Sequence, residues 1–351
     1  MELSTATPRP RYLPRLHVDV PLLLGLLLLS GIGLVVLYSA GGQDPALLTR
    51  QAVRLAMALV LMVLVAQVNP QHLAFWTPWL YAGSMALLVA VLVMGDVGKG
   101  AQRWLDLGVV RFQPSEMVKI TVPAMVAWTL ADRPLPASFA RNLAAFAMIL
   151  VPTVLIARQP DLGTALVVAA SGVFVLLMAG LSLRFLLGMS ALVAAFLPLL
   201  WFFLMHGYQR QRVLTFLNPE SDPLGAGYHI IQSKIAVGSG GLYGKGWLNG
   251  SQSHLEFLPE RSTDFIFAVL AEEFGFAGGL AVLAAYAFVI GRGLMIALQA
   301  QDVFGRLLAG GISLGFFVYA FVNIGMVAGL LPVVGLPLPL VSYGGSSLVS
   351  L

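Results

Sequence analysis

The sequence predicts an all-α polytopic membrane protein of about ten transmembrane helices with one large extracytoplasmic loop. Three observations lead there. Of 351 residues, 58% are hydrophobic and 10% are charged, against roughly 25% charged in an ordinary soluble domain. The mean hydropathy is +0.88. The apolar residues fall in repeated runs of roughly twenty, the length of a helical crossing rather than of a barrel strand. These figures exclude a soluble enzyme, and they exclude a disordered chain, which is polar and charge-rich. The chain has no cysteine, so disulfides, thiolate metal ligands and a cysteine nucleophile are ruled out. A net charge of +4 is too small to argue for a nucleic-acid partner.

Taken in order, spans are expected near 20–40, 51–68, 76–95, 114–131, 140–157, 162–181, 184–206, 264–291 and 304–330. A tenth begins near Gly344, and the chain stops at Leu351 before that segment could cross. The apolar start at Val20 is no cleavable signal, because no small-residue cleavage site follows it. Arg9, Arg11 and Arg15 precede the first span, which places the N-terminus in the cytoplasm. Alternation then puts Arg133, Arg141, Arg184, Arg292 and Arg306 inside as well, eight of the 20 basic residues, and leaves twelve outside. Five of those twelve (Arg210, Arg212, Lys234, Lys245, Arg261) lie in one long segment. An anionic ligand in the outer leaflet would account for the outward surplus.

That segment, 207–263, is the long polar stretch of the chain and is rich in Gly and Pro. Loops of this length are functional or disordered. Tyr228, Ile231, Tyr243, Trp247 and Phe257 are spread through it, which favours a folded loop. A second outer loop, 96–113, holds Lys99, Arg103, Trp104, Asp106 and Arg111. No repeat or linker divides the chain, so residues 1–351 form one domain.

Several motifs of soluble enzymes are set aside. Gly311-Ile312-Ser313-Leu314-Gly315 matches a nucleophile elbow, which needs a strand–turn–helix setting. Inside an apolar span, small residues four apart serve close helix packing instead. The glycines before Lys245 resemble a phosphate loop, but Ser239 and Gly246 stand where a glycine and a hydroxyl residue belong. The histidines at 17, 72, 206, 229 and 254 lack metal-ligand spacing.

Charges at membrane helices carry more information, because burying them is costly. Glu116 and Lys119 are three apart and share one helix face. They read either as a structural ion pair or as a pair lining a polar cavity, with the lysine available to a phosphate. Arg50 and Arg54 share a face in the same way, as snorkelling anchors or as further phosphate contacts. Asp161 reads as a helix cap. Asp264 is ambiguous: an acid at a helix start stabilises the dipole, yet it also stands where the polar loop meets membrane helices. Glu272 and Glu273 lie two turns deeper, where a cavity or a basic partner is required.

Longer blocks then carry a resemblance. They are Gln232-Ser233-Lys234-Ile235-Ala236-Val237-Gly238-Ser239-Gly240-Gly241 and Leu258-Pro259-Glu260-Arg261-Ser262-Thr263-Asp264-Phe265. Gln113-Pro114-Ser115-Glu116, Gln159-Pro160-Asp161-Leu162-Gly163 and the C-terminal Leu340-Val341-Ser342-Tyr343-Gly344-Gly345-Ser346 join them. The sequence resembles the SEDS family of bacterial shape, elongation, division and sporulation proteins over nearly its whole length. Gly244-Lys245-Gly246-Trp247-Leu248-Asn249-Gly250 is closer to the elongation branch than to the division branch.

The resemblance implies a multi-pass protein of the bacterial cytoplasmic membrane. It implies an inverting peptidoglycan glycosyltransferase that polymerises lipid II into β-1,4 strands on the outer face for elongation and rod shape. Asp264 is implied as the catalytic base or, alternatively, as ligand of a divalent cation, magnesium or manganese. Glu116, Lys119, Arg50, Arg212, Lys234, Glu260, Ser342, Gly344 and Gly345 are the expected substrate-binding residues. The implied partners are lipid II, the nascent glycan strand, a class B penicillin-binding protein and other elongation-complex proteins. Two rival readings are a lipid II flippase, which would need polar groups along the whole path, and a non-catalytic scaffold, which would not need Asp264.

Overall fold

The computed structural model describes residues 17–98, 101–106, 111–159, 161–199, 226–251 and 260–350, with positions 202, 203, 207, 210, 214, 215 and 218 between. The helices are α1 (Val20–Ala40), α2 (Pro45–Ala66), α3 (Pro70–Met94), α4 (Pro114–Ala131), α5 (Phe139–Arg158), α6 (Leu162–Met178) and α7 (Leu183–Leu199). They continue with α8 (Ala226–Ser239), α9 (Ile266–Gln299), α10 (Val303–Val327) and α11 (Ser346–Ser350). Each of the nine expected spans contains one of these helices, with α7 covering residues 184–199 of the seventh, and among the described residues α1, α2, α3, α5, α9 and α10 are each long and apolar enough to cross a bilayer.

Helix starts follow side-chain caps. Asp19, Asp44 and Asn69 accept the N–H of Leu22, Ala46 and Gln71 at 2.9, 2.8 and 2.9 Å. Each is followed by a proline in the first turn, where a missing N–H is harmless. These caps explain why α2 and α3 begin at Pro45 and Pro70, ahead of the expected 51 and 76. Thr49, Arg50 and Gln51 in α2, and Gln71 and His72 in α3, interrupt the apolar run near these starts.

α4 and α10 are central, packing against each other and against α6. Most of α4 is buried. α2 is peripheral, with Val53, Met57, Val60 and Leu64 exposed as a lipid-facing surface. Small residues let helices close up: Gly315 meets Ser171, and a Cβ at Gly311 would collide with Val175. This is the packing role expected of the Gly311–Gly315 motif.

Two features depart from expectation. The loop at 96–113 contains a small antiparallel sheet, β1 (Asp96–Gly98), β2 (Ala101–Asp106) and β3 (Arg111–Phe112), in the order β1-β2-β3. The 207–263 segment contributes α8, which packs on α9 and α10.

α9 is broken. Gly275 has φ 66° and ψ −163°, a conformation open to glycine alone. The backbone groups freed by the break pair with the turn after α8. Lys245 and Gly246 donate to the carbonyls of Glu272 and Glu273, each at 3.0 Å. Phe276 and Ala277 donate to Gly241 and Leu242 at 2.9 and 3.0 Å. Irregular backbone near a membrane is tolerable when protein satisfies it in this way. The approach is so close that a Cβ on Gly244 would collide with the Glu273 carbonyl.

Candidate functional site

The site lies at the end of the bundle that carries the sheet. α4 starts there with Pro114 and places Glu116 in its first turn, one helical step from Lys119. Lys119 Nζ donates to Glu116 Oε1 at 2.6 Å, with side-chain exposures of 9% and 8%. Lys119 also stands 4.8 Å from the centre of the Tyr319 ring on α10. Ser350 of α11 donates its hydroxyl to Glu116 Oε2. The pair is therefore structural in its geometry, and it also faces space. A cavity of about 230 Å³ is lined by Glu116, Lys119, Arg103, Asp161, Gly335 and Gly345, among others.

Asp161 serves twice. Its Oδ1 accepts the Thr164 N–H at 3.3 Å, capping α6 as expected. Its Oδ2 accepts from Gln113 Nε2 at 3.2 Å and lies 3.9 Å from Arg103 Nε. Arg103 arrives on β2, so the sheet delivers a cation to the cavity wall.

Asp264 closes a turn that starts at Glu260, whose carbonyl accepts from Thr263 and Phe265 at 3.1 and 3.3 Å. Three successive carbonyls leading into α9 are each held from elsewhere. Tyr343 N–H donates to Ser262 O at 2.8 Å. The Ser342 hydroxyl donates to Thr263 O at 2.6 Å. Asn323 Nδ2 donates to Asp264 O at 2.8 Å and to Leu336 O at 2.6 Å. This clamp sets where the carboxylate points. A Cβ on Gly335, a residue of the cavity wall, would stand 3.5 Å from Asp264 Oδ2.

The expected residues separate accordingly. Glu116, Lys119 and Gly345 share the cavity wall, with Asp264 beside it. Gly344 N–H reaches Gln51 Oε1 at 3.5 Å. Ser342 is buried, and it accepts from Leu338 N–H at 2.7 Å while donating to Thr263; its geometry positions the loop. Lys234 is exposed and packs across Gly329 on the 328–331 turn. Glu260 is exposed and accepts the Thr263 hydroxyl at 2.9 Å. Neither borders the cavity. Arg212 lies outside the described residues.

Arg50, expected as a substrate-binding residue, is not among the residues that line the cavity. Its side chain is 60% exposed and reaches Asp44 at 3.9 Å. The arginine that meets the site is Arg54, 5.0 Å over the Tyr343 ring and close to Gly345. The two share a helix face, but Arg54, one turn further along α2, is level with the 343–345 turn. Sequence reasoning also passed over Asn323 as a clamp and His229 as a neighbour of the site. His229 stacks on Phe265 at 5.7 Å. Its burial lowers the imidazole pKa, and the Glu260 charge partly offsets this.

Chemically, the site offers Lys119, Arg103 and Arg54 to an anion, and at its edge the Asp264 carboxylate, carried on a backbone held at three carbonyls. Among the described residues no three Asp, Glu, His or Cys side chains converge as a metal centre.

A bundle of long apolar helices with a polar chamber at one end defines a polytopic membrane protein. The chain belongs to the FtsW, RodA and SpoVE family of cell cycle proteins, whose family model matches residues 13–351. It is 59% identical over 337 residues to the peptidoglycan glycosyltransferase MrdB of Escherichia coli K12, covering 96% of this chain and 91% of that protein. It is 34% identical to the peptidoglycan glycosyltransferase RodA of Treponema pallidum, over 94% of each chain. Among solved structures it resembles the rod shape determining protein RodA of Thermus thermophilus, with TM-score 0.71, 32% identity and 97% and 94% coverage. A second match, with TM-score 0.81, 38% identity and 95% and 94% coverage, comes from a peptidoglycan synthase complex that coordinates polymerization and crosslinking.

Proposed function

We infer that this chain is an inverting peptidoglycan glycosyltransferase. It polymerises lipid II into β-1,4 glycan strands on the outer face of the bacterial cytoplasmic membrane, for elongation and rod shape. The observation that carries this reading is the triple carbonyl clamp that holds the Asp264 backbone beside a polar chamber containing Lys119 and Arg103. A flippase has no use for one carboxylate mounted on so constrained a backbone, and a scaffold has no use for the chamber.

The acceptor sugar's 4-hydroxyl attacks the anomeric carbon of the donor, forming the new C–O bond as the bond to diphosphate breaks. The hydroxyl proton passes to Asp264, and the electron pair leaves with undecaprenyl diphosphate. An α-linked donor giving a β product means one displacement with inversion, so one base suffices and no covalent glycosyl-enzyme is required. Lys119 and Arg103, with Arg54 at the 343–345 turn, offset the charge that develops on the leaving diphosphate. Lys119 is held for this by Glu116 and by the Tyr319 ring.

An N-terminus in the cytoplasm puts the Asp264 end outside, where peptidoglycan is made. Ala46→Cys should then react with an impermeant thiol reagent on intact cells, and Ser138→Cys only after the membrane is opened; the reverse pattern overturns the orientation. The partner in this reading is a class B penicillin-binding protein, the transpeptidase that crosslinks the strand. The deciding experiment gives lipid II to the purified protein, with and without that partner, and resolves glycan polymer on a gel. Absence of polymer under every partner and metal condition, with lipid movement in proteoliposomes, would establish the flippase instead.

A further inference from the structure

The turn after α8 has a second face. Its backbone clasps the break in α9, while Leu242, Tyr243 and Trp247 point outward with exposures of 67%, 84% and 45%. Exposed apolar side chains on a polar loop need an environment, and the length of α9 identifies it. At 1.5 Å per residue, the 34 residues of α9 would span about 51 Å, well beyond the ~30 Å hydrocarbon core. The part after Gly275 alone would span about 36 Å, enough for one crossing. The break therefore falls at the membrane boundary. Hydrogen bonds from Phe276 and Ala277 to Gly241 and Leu242 fix the turn at that same depth. The neighbouring residues on α9, Phe276 and Leu280, are 65% and 54% exposed, so the lipid-facing surface continues from helix to turn. Trp247 donates its indole N–H to Val35 O at 3.2 Å and lies 6.0 Å from the Tyr38 ring, in the last turns of α1. Aromatic residues at one level around a bundle mark the headgroup boundary.

We propose that the 241–247 turn is a membrane-interface anchor whose ligand is the lipid surface. Leu242 and Tyr243 sit at the headgroup–acyl boundary of the leaflet at the Asp264 end. The clasp links that anchor to the half-helix 266–274, whose first residues follow Asp264. Lys245 Nζ fastens it further, 2.7 Å from the buried Glu272 and 2.8 Å from Ser251. The anchor sets the height of the carboxylate above the bilayer, matching it to a substrate whose diphosphate is held at the headgroups. Only that last consequence rests on the glycosyltransferase reading.

The cysteine-free chain allows a direct test in phosphatidylglycerol-containing vesicles. Spin labels on Leu242→Cys and Tyr243→Cys should collide several-fold more with oxygen than with a water-soluble nickel chelate. A label on Glu260→Cys should show the opposite preference. Equal, water-like collision at all three positions overturns the proposal. So does shielding at 242 and 243 that appears only when the transpeptidase is added, since the surface would then belong to the partner. In an activity arm, Tyr243→Glu should lower polymer formation at least 5-fold in vesicles, and Tyr243→Phe should leave it within 2-fold. Lipid-like collision without that loss would retain the anchor and remove its link to Asp264.

Discussion

The two ends of the bundle solve the same problem in opposite ways. At the end where α1 and α10 begin, helices stop and start within a few residues under side-chain caps. The chief charges there are a bidentate pair, Arg292 to Asp19 at 3.0 and 2.7 Å. At the Asp264 end, backbone regularity gives way: α9 breaks, a sheet forms and the 328–345 segment runs without helix. Carbonyls there are held by side chains from distant parts of the sequence. The difference teaches that the regular end provides rigidity at low cost, whereas the irregular end brings together groups that no single helix could present.

The largest expected effect tests the irregular end directly. Asp264→Asn keeps the size of the side chain and removes only its charge, so the melting temperature should hardly move; a helix-start charge contributes only about 0.3–1 kcal/mol. Polymer formation should fall roughly 100-fold or more. Near-normal polymerisation by the folded variant would end the mechanism. Second, exchanging the pair as Glu116→Lys with Lys119→Glu retains an ion pair while moving the cation. Polymerisation should again fall by about 100-fold in a protein that still inserts and folds, and full activity would reduce the pair to a structural one.

Ser342→Ala comes next. It removes the donor to Thr263 O and strands a carbonyl, a loss of about 1–3 kcal/mol. Turnover should fall more than apparent substrate affinity, because the clamp orients Asp264 without touching the diphosphate. An unchanged turnover would show that Asp264 does not need its clamp.

The regular end should give the smallest effect. Hydrogen bonding to Arg292 holds the Asp19 carboxyl below the usual carboxylate range. A lowered pKa means that the stabilisation is present above the unfolded pKa and fades as pH falls through the folded one. Melting curves of wild type and Asp19→Asn should therefore differ at neutral pH by a small, salt-sensitive margin and converge in acid. Parallel curves down to the lowest pH would remove the pair from the stability of that end.

Legibility in the sequence follows the same division. Hydropathy located a helix within each of the nine expected spans, and errors fell where caps extended a helix beyond the apolar run, as at Pro45 and Pro70. The Glu116–Lys119 contact was legible because i,i+3 spacing is local. Spacing alone could not choose between Arg50 and Arg54, since that choice depends on where residues 343–345 return. The strands are three, six and two residues long, too short for a periodic signal. Gly275 lies within an apolar run that reads as continuous helix, and its break is visible only once residues 240–246 are laid against it. Ser342 and Tyr343 were legible as parts of a motif, but the clamping of three carbonyls by these two and Asn323 is a property of long-range contacts.

Because the amides and carbonyls around Gly275 find their partners in residues 241–246, the half-helix 266–274 cannot be completed by local winding alone. Its completion depends on the chain on both sides, the turn after α8 and the rest of α9, so the backbone that carries Asp264 is stable only together with them. In hydrogen exchange, the amides of Lys245, Gly246, Phe276 and Ala277 should open together as one cooperative unit, separately from the slower interior of α10.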